Sequence, residues 1–298
     1  MPSWPVSKMP PWPLIEVAIA SKSAADADIL QSELSCLVDD TQITFTRSET
    51  GFLLGGVSEL HLDLAIGRLR SGGSPEFVVG APEIAYRELL GQAARIDYTH
   101  NCIVGLRREF ARVVIDFAPA AAGEGVIFKN SASGAVPAEF MPGVEKGLRI
   151  AIENGVRAGF PLIDFAATLV DGASHNIDSS TFAFQKAAYC AVHELKKKGN
   201  VQLAQPFMIV ELCTPEKYLD AIVSDFESRG GVIENQSASE GVVTLNASAP
   251  LANMFGYPNI LNAISDRRAS HVMAFDEYRR LSLPDDEPPF PPAIGMRA

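Results

Sequence analysis

The chain has 298 residues, 47% hydrophobic and 20% charged, enough for two ordinary domains or three small ones and too apolar for a disordered chain. Its net charge of −11 excludes binding of nucleic acid by bulk positive charge and leaves only local basic contacts open. No run of about 18 apolar residues occurs, so no membrane span is expected, and Met1-Pro-Ser-Trp-Pro5 lacks the cationic and apolar segments of a secretory signal.

Residues 1–13 carry five prolines and two tryptophans and read as an extended linker, preceded by something else. Residues 14–82 then show a clear order. Leu14–Ala20 alternates as a strand, and Ser23 caps a helix with Asp26 three residues on. Leu30, Leu34, Leu37 and Val38 share one face of that helix. Ile43–Thr46 is a strand, Glu49–Gly51 a hairpin turn and Phe52–Leu54 the return strand. Ser58 opens a helix with Leu62, Ile66 and Leu69 on one stripe, Gly72-Gly73 ends it, and Phe77–Val79 is the last strand. The order βαββαβ predicts a ferredoxin-like domain.

Residues 83–205 hold strand-like segments at Ile84–Tyr86, Arg112–Phe117, Val126–Phe128 and Phe165–Val170. A helix over 138–154 carries Phe140, Val144, Leu148 and Ile152 on one face and stops at Gly155. A second, over 180–198, carries Phe184, Ala188, Ala191 and Leu195, and Lys196–Lys198 complements its negative end. Stretches 98–112 and 171–179 are placed to project as tips. In the second, Gly172, Asn176 and Asp178 favour a turn, and Asp178, Ser179 or Ser180 caps the next helix. An exposed His175 there suits contact with a polar surface.

Residues 206–277 repeat the βαββαβ order. Phe207–Leu212 is a strand, Thr214 a cap with Pro215 at the first helical position, and Tyr218, Ile222 and Phe226 the buried stripe before Gly230-Gly231. Val232–Glu234 and Val242–Leu245 form a hairpin, Leu251–Arg267 a helix broken at Pro258, and Val272–Phe275 the closing strand. Residues 278–298 form a tail, Pro-rich and acidic from Leu281 onward.

Catalytic signatures are missing. No GxxxxGK[ST] loop, GxGxxG turn after a strand, GxSxG elbow or HExxH pair occurs. Cys36, Cys102, Cys190 and Cys213 form no CxxC, and His61, His100, His175, His193 and His271 are isolated in sequence. This pattern predicts reduced structural thiols, no metal ligands and no catalytic residues. An interaction module fits better than an enzyme.

Five segments, in order, carry a resemblance: Gly56-Val-Ser-Glu-Leu-His-Leu-Asp63, Gly80-Ala-Pro-Glu-Ile-Ala-Tyr-Arg-Glu88, Phe140-Met-Pro-Gly-Val-Glu-Lys-Gly147, Asp171-Gly-Ala-Ser-His-Asn-Ile-Asp-Ser-Ser180 and Met254-Phe-Gly-Tyr257. Over residues 12–281 the chain resembles the C-terminal half, domains III to V, of bacterial translation elongation factor G. The resemblance implies an α+β chain: two ferredoxin-like domains, 14–82 and 206–277, flanking a ribosomal-protein-S5-like domain at 83–205, with the chain's end packing near that middle domain. It also implies the ribosome-binding portion of a translocase that assists GTP-driven movement of tRNA and mRNA, monomeric and cytoplasmic. The implied partners are ribosomal RNA, the tRNA–mRNA pair at the decoding region and the factor-binding site of the large subunit. GTP and magnesium would bind a first domain that this chain does not contain, so no cofactor is expected here.

The residues that the resemblance places at the RNA-contacting tip are His175, Asn176, Asp178, Ser179 and Ser180, with Arg107, Arg108 and Glu109 beside them. The chain departs from the family at Ile103–Ala111, the counterpart of a Gly-rich loop, where only Gly105 keeps its glycine and Glu109 stands at the position of a Gln. Ser58 stands where the family usually has Gly. These departures suggest a divergent paralogue. A stand-alone binder of the factor site without translocase activity is the alternative, and a small-molecule kinase is opposed by the missing phosphate loop.

Overall fold

The computed structural model describes residues 13–40, 43–48, 51–73, 75–105, 107–132, 134–239 and 241–281, without the side chains of residues 24, 39, 40, 104 and 107. The expected linker before Pro13, the tail beyond Leu281, the turn residues Glu49 and Thr50, and the Arg107 side chain lie outside the described residues. The chain divides into two compact units. Among the described residues, one runs to Ala85 and resumes over Gln205–Arg279, and the other holds Tyr86–Ala204 with Arg280 and Leu281.

The first unit begins with β1 (Ile15–Ser21), α1 (Ala24–Asp40), β2 (Thr44–Ser48), β3 (Gly51–Gly56), α2 (Glu59–Ser71) and β4 (Phe77–Ile84). The antiparallel order β2-β3-β1-β4 is ferredoxin-like. Both helices start on serine caps. The Ser23 hydroxyl accepts from Asp26 N at 3.1 Å and donates to the Asp26 carboxylate at 2.6 Å, and Ser58 Oγ accepts from His61 N at 3.3 Å. Leu30, Leu34, Leu62 and Leu69 bury with Val17, Ile19, Phe52 and Leu54. β4 runs past the predicted end at Val79. Ile84 pairs with Ile15 and Ala85 N donates to Leu14 O at 2.9 Å, so Ile84 belongs to this sheet and opens no strand of its own.

The second unit contains β5 (Arg87–Leu89), β6 (Ala94–Val104), β7 (Arg107–Pro119), β8 (Val126–Asn130), α3 (Met141–Asn154), β9 (Leu162–Ile163), β10 (Phe165–Ala173), α4 (Thr181–His193) and α5 (Leu195–Lys198). Its main sheet has the order β6-β7-β10-β8, with β8 parallel to β10. Ile96, Val113, Ile115, Phe117, Phe165 and Leu169 of the sheet share one core with Val144 and Leu148 of α3 and Phe184, Ala188 and Val192 of α4. The predicted single helix over 180–198 is broken at Glu194 into α4 and α5.

β11 (Gln202–Pro215) pairs through Gln202–Ala204 with β5 of the second unit, and its later residues belong to the first. There follow α6 (Leu219–Ser228), β12 (Val232–Ser239), β13 (Val242–Pro250), α7 (Tyr257–Ile264) and β14 (Ser270–Arg280), in the order β12-β13-β11 with β14 on the other side of β11. This is the ferredoxin-like order again. The fold is therefore α+β throughout.

Two predicted details differ here. Thr214 and Pro215 remain in β11, paired with Val243 and Val242, and α6 starts only at Leu219. The extended backbone that a proline imposes on the residue before it suits a strand as well as a cap, and here Thr214 keeps its pairing with Val243, so the helical turn begins only at Glu216. Pro258 sits in the first turn of α7, where its missing N–H leaves nothing unpaired, and the interruption falls before Tyr257 instead.

Tyr257 is 1% exposed, packed between Phe226 and His271, and among the described residues its hydroxyl has no hydrogen-bond partner. Burial pushes its phenol up to about 12. An unpaired buried hydroxyl opposes folding, so Tyr257→Phe is expected to raise the stability of the first unit by about 1 kcal/mol in chemical denaturation. A loss of stability would mean that the hydroxyl is bonded.

Candidate nucleic-acid interface

The tip of the second unit is built from two connections. The first joins β10 to α4. Ser180 is the cap of α4: its Oγ accepts from Ala183 N at 3.1 Å and its carbonyl from Phe184 N at 3.1 Å. Ser179 ties the loop to β7. Its hydroxyl accepts from His175 N at 2.8 Å and donates to Phe110 O at 2.7 Å, while Phe110 N donates to Asp178 O at 2.9 Å. The loop is thus closed on itself and bonded through Phe110 to the neighbouring strand. Asp178 caps nothing. Its carboxylate stands 3.1 Å from His175 Nδ1.

Backbone N–H groups of Ile177 and Asp178 also approach that nitrogen, at 3.4 and 3.3 Å. Nδ1 cannot both donate to the carboxylate and accept from them. The two N–H groups point at Nδ1, and the carboxylate is near it without a hydrogen bond, so Nδ1 is the acceptor and the ring proton lies on Nε2. Among the described residues Nε2 has no partner, and the ring is 55% exposed. His175 and Asn176 are exposed, and Ile177 beside them is 86% exposed. The arrangement presents an imidazole edge and an amide on a braced loop, suited to hydrogen bonding with a polar surface.

The second connection is the β6–β7 hairpin. Val104 pairs with Arg107, which leaves a two-residue turn whose first residue, Gly105, has φ +63°. That left-handed angle suits glycine, which has no Cβ to clash. Of Ile103–Ala111, the described residues Ile103–Val104 and Arg107–Ala111 are paired strand. Glu109 does not face solvent with its charge. Its Oε2 lies 3.0 Å from both His100 Nε2 and Lys186 Nζ, and these partners, His100 first, hold its carboxyl below the usual carboxylate range.

Charge at the tip is mostly paired. Arg112 is gripped by Asp97 and Asp171, and the Arg112 hydrogen bond holds the Asp97 carboxyl low. Lys186 pairs with Glu109 and lies 4.4 Å over the Phe182 ring. Arg108 is exposed and, among the described residues, has no carboxylate partner. It lines an open depression of ≈ 360 Å³ with Asn101, Phe110, Ala173, Ser174, His175 and Asp178. Of the predicted site residues, Arg108, His175 and Asp178 meet in this depression. Ser179 and Ser180 brace it, Asn176 stands beside it, and Glu109 is turned onto Lys186.

Residues 82–200 match the family model for elongation factor G, domain IV, and residues 202–287 that for the elongation factor G C-terminus. The chain belongs to the elongation factor G family. It is 44% identical over 272 residues to elongation factor G of Hyphomonas neptunium and 42% identical over 272 residues to that of Paracoccus denitrificans, each match covering 90% of this chain and 38% of the relative. The chain thus spans 38% of the length of these elongation factor G relatives. A crystal structure of a protein from Thermus thermophilus superposes with a TM-score of 0.68 at 26% identity, over 92% of this chain and 42% of that one.

The domain IV match contains both halves of the tip, 103–111 and 171–180. Sequence reasoning missed Phe110 as the anchor of the His175 loop, because its contribution is backbone alone. It also missed the meeting of His100, Cys102 and Glu109, whose ligand-type atoms lie within 4.8 Å of one another although the sequence predicted no metal ligands. The signal was the alternation His100–Cys102 on one face of β6, which becomes readable only once the hairpin register sets Glu109 opposite Cys102.

Proposed function

We propose that this chain is the ribosome-binding portion of an elongation factor G-type translocase. The observation that carries this reading is the domain IV match over a tip whose His175 loop is pinned to β7 through Ser179 and Phe110. The chain contacts ribosomal RNA and the tRNA–mRNA pair at the decoding region through His175, Asn176 and Arg108. Asp178, Ser179 and Ser180 hold the loop, and the Glu109 carboxylate stays paired inside the hairpin. The second ferredoxin-like half engages the factor-binding site of the large subunit. GTP and magnesium act on a domain outside the matched region, so this chain is a non-catalytic part, working as a cytoplasmic monomer.

Arg108→Ala is expected to weaken ribosome binding about tenfold and to lower the slope of log affinity against log salt by about 1, as for one lost phosphate contact. His175→Ala is expected to lower affinity, or the translocation rate in a reconstitution with a separate GTPase domain, by about tenfold through loss of a hydrogen bond to a charged group. Unchanged affinity and rate in both variants would remove the tip from the mechanism. The tight β6–β7 turn favours one second reading, a factor-site binder without translocase activity. In that case ribosome binding survives while the reconstituted rate stays at background.

A further inference from the structure

We propose that His100, Cys102 and Glu109 form a binding site for a zinc-class divalent cation on the β6–β7 hairpin. This site stands apart from the RNA-contacting depression and does not rest on the function proposed above. Cys102 and Glu109 are directly opposite in the hairpin register, and His100 lies two residues before Cys102 on the same strand face. The three side chains therefore converge from neighbouring positions on one pleated surface.

The geometry suits a metal. His100 Nε2 lies 3.2 Å from Cys102 Sγ and 3.0 Å from Glu109 Oε2, and Sγ lies 3.8 Å from Oε2. A tetrahedral zinc ion with bonds of about 2.3 Å to sulfur and about 2.0 Å to nitrogen and oxygen separates such ligands by about 3.3–3.6 Å. Each side of the observed triangle is within a few tenths of an ångström of that range. The His100 side chain is 13% and that of Glu109 18% exposed, so both ligands are largely shielded from solvent.

A cysteine–histidine–carboxylate proton relay is the rival chemistry, and the contacts argue against it. A relay needs the acid on one ring nitrogen and the thiol on the other. Here both partners use Nε2, so the three ligand-type atoms converge on one locus. A thiolate and a carboxylate neutralise a divalent cation, and three protein ligands leave the fourth position for water or another donor. Binding releases the Cys102 thiol proton to solvent and needs no redox step.

Lys186 sets the affinity. Its ammonium lies 3.0 Å from the same Glu109 oxygen and competes with the cation for it. When displaced, it can remain over the Phe182 ring, 4.4 Å away, as a cation–π pair. The metal-free tip thus has a lysine in the position of the ion's charge.

The test is titration of the full 298-residue chain with Co(II), read by thiolate-to-cobalt charge-transfer absorption, followed by displacement with Zn(II). One equivalent is expected to bind. Cys102→Ser should abolish the absorption band and weaken Zn(II) binding about 100-fold, and His100→Ala should weaken it similarly. Cys213→Ser, on β11, should leave the band intact. Lys186→Met should tighten binding several-fold, a gain that misfolding cannot produce. Absence of a band in the parent chain, a band surviving Cys102→Ser, or unchanged affinity in Lys186→Met would each overturn the proposal.

Discussion

Replacing Glu88 by alanine is expected to destabilise the second unit by about 4 kcal/mol, read as a lowered denaturation midpoint for that unit alone. Glu88 is 0% exposed, and its carboxylate accepts from four backbone N–H groups. Val156 N donates to Oε2 at 2.6 Å and Ala158 N to Oε1 at 2.7 Å. Arg157 N reaches both oxygens, at 3.0 and 2.9 Å, and Phe160 N lies 3.4 Å from Oε1. The segment 156–160 follows the end of α3 and has no helix or sheet ladder for these donors. Alanine leaves these donors, that of Val156 buried and the others part-buried, without an acceptor, at about 1–3 kcal/mol for the buried group and less for each of the rest. Glu88→Gln keeps one acceptor oxygen but turns its amide donors toward other donors, so roughly half the loss is expected. Equal stability of Glu88→Ala and the parent would show that water replaces the carboxylate in full.

The second large effect lies at the crossing of α3 and α4. A Cβ added at Gly147 would stand 2.2 Å from Gln185 O, and one at Gly143 would stand 2.1 Å from Thr181 O. Both obstacles are backbone atoms of a neighbouring helix and cannot rotate away. Alanine in a helix interior normally gains about 1 kcal/mol over glycine. Here the overlap outweighs that gain, because separating two packed helices opens the core shared by Val144, Leu148, Phe184 and Ala188. Gly147→Ala should therefore lower stability by about 2–3 kcal/mol. Gly67 on α2 provides the contrast: nothing lies within 4 Å of its added Cβ, so Gly67→Ala should raise stability by up to about 1 kcal/mol. Gly143→Ala would also press on Thr181, which opens α4 directly after the Ser180 cap of the His175 loop.

These two predictions also explain what could be read from sequence. The βαββαβ order appeared twice because each helix keeps an apolar stripe, as Leu30 and Leu34 or Ile222 and Phe226, and in the first copy serine caps, Ser23 and Ser58, mark both helix starts. Local chemistry settled those elements. It failed where two local rules competed, at Thr214-Pro215, where a proline fits either the end of a strand or the start of a helix and the sheet took it. The position of the tip was legible through the Asp171–Ser180 segment. Its bracing was not, because the bonds from Ser179 Oγ and Asp178 O reach backbone atoms of Phe110, far away in sequence. Charge was misjudged for a related reason. Glu109 reads as an acidic intrusion into an RNA-contacting loop, yet Lys186, 77 positions later, turns it inward.

Co-sedimentation of the chain with ribosomes, in the presence and absence of intact elongation factor G, tests the proposed function most directly. Ribosome binding at one site, displaced in proportion by the intact factor and weakened by Arg108→Ala, is the expected result. Binding that ignores the intact factor, or no binding at low salt where phosphate contacts are strongest, would contradict it.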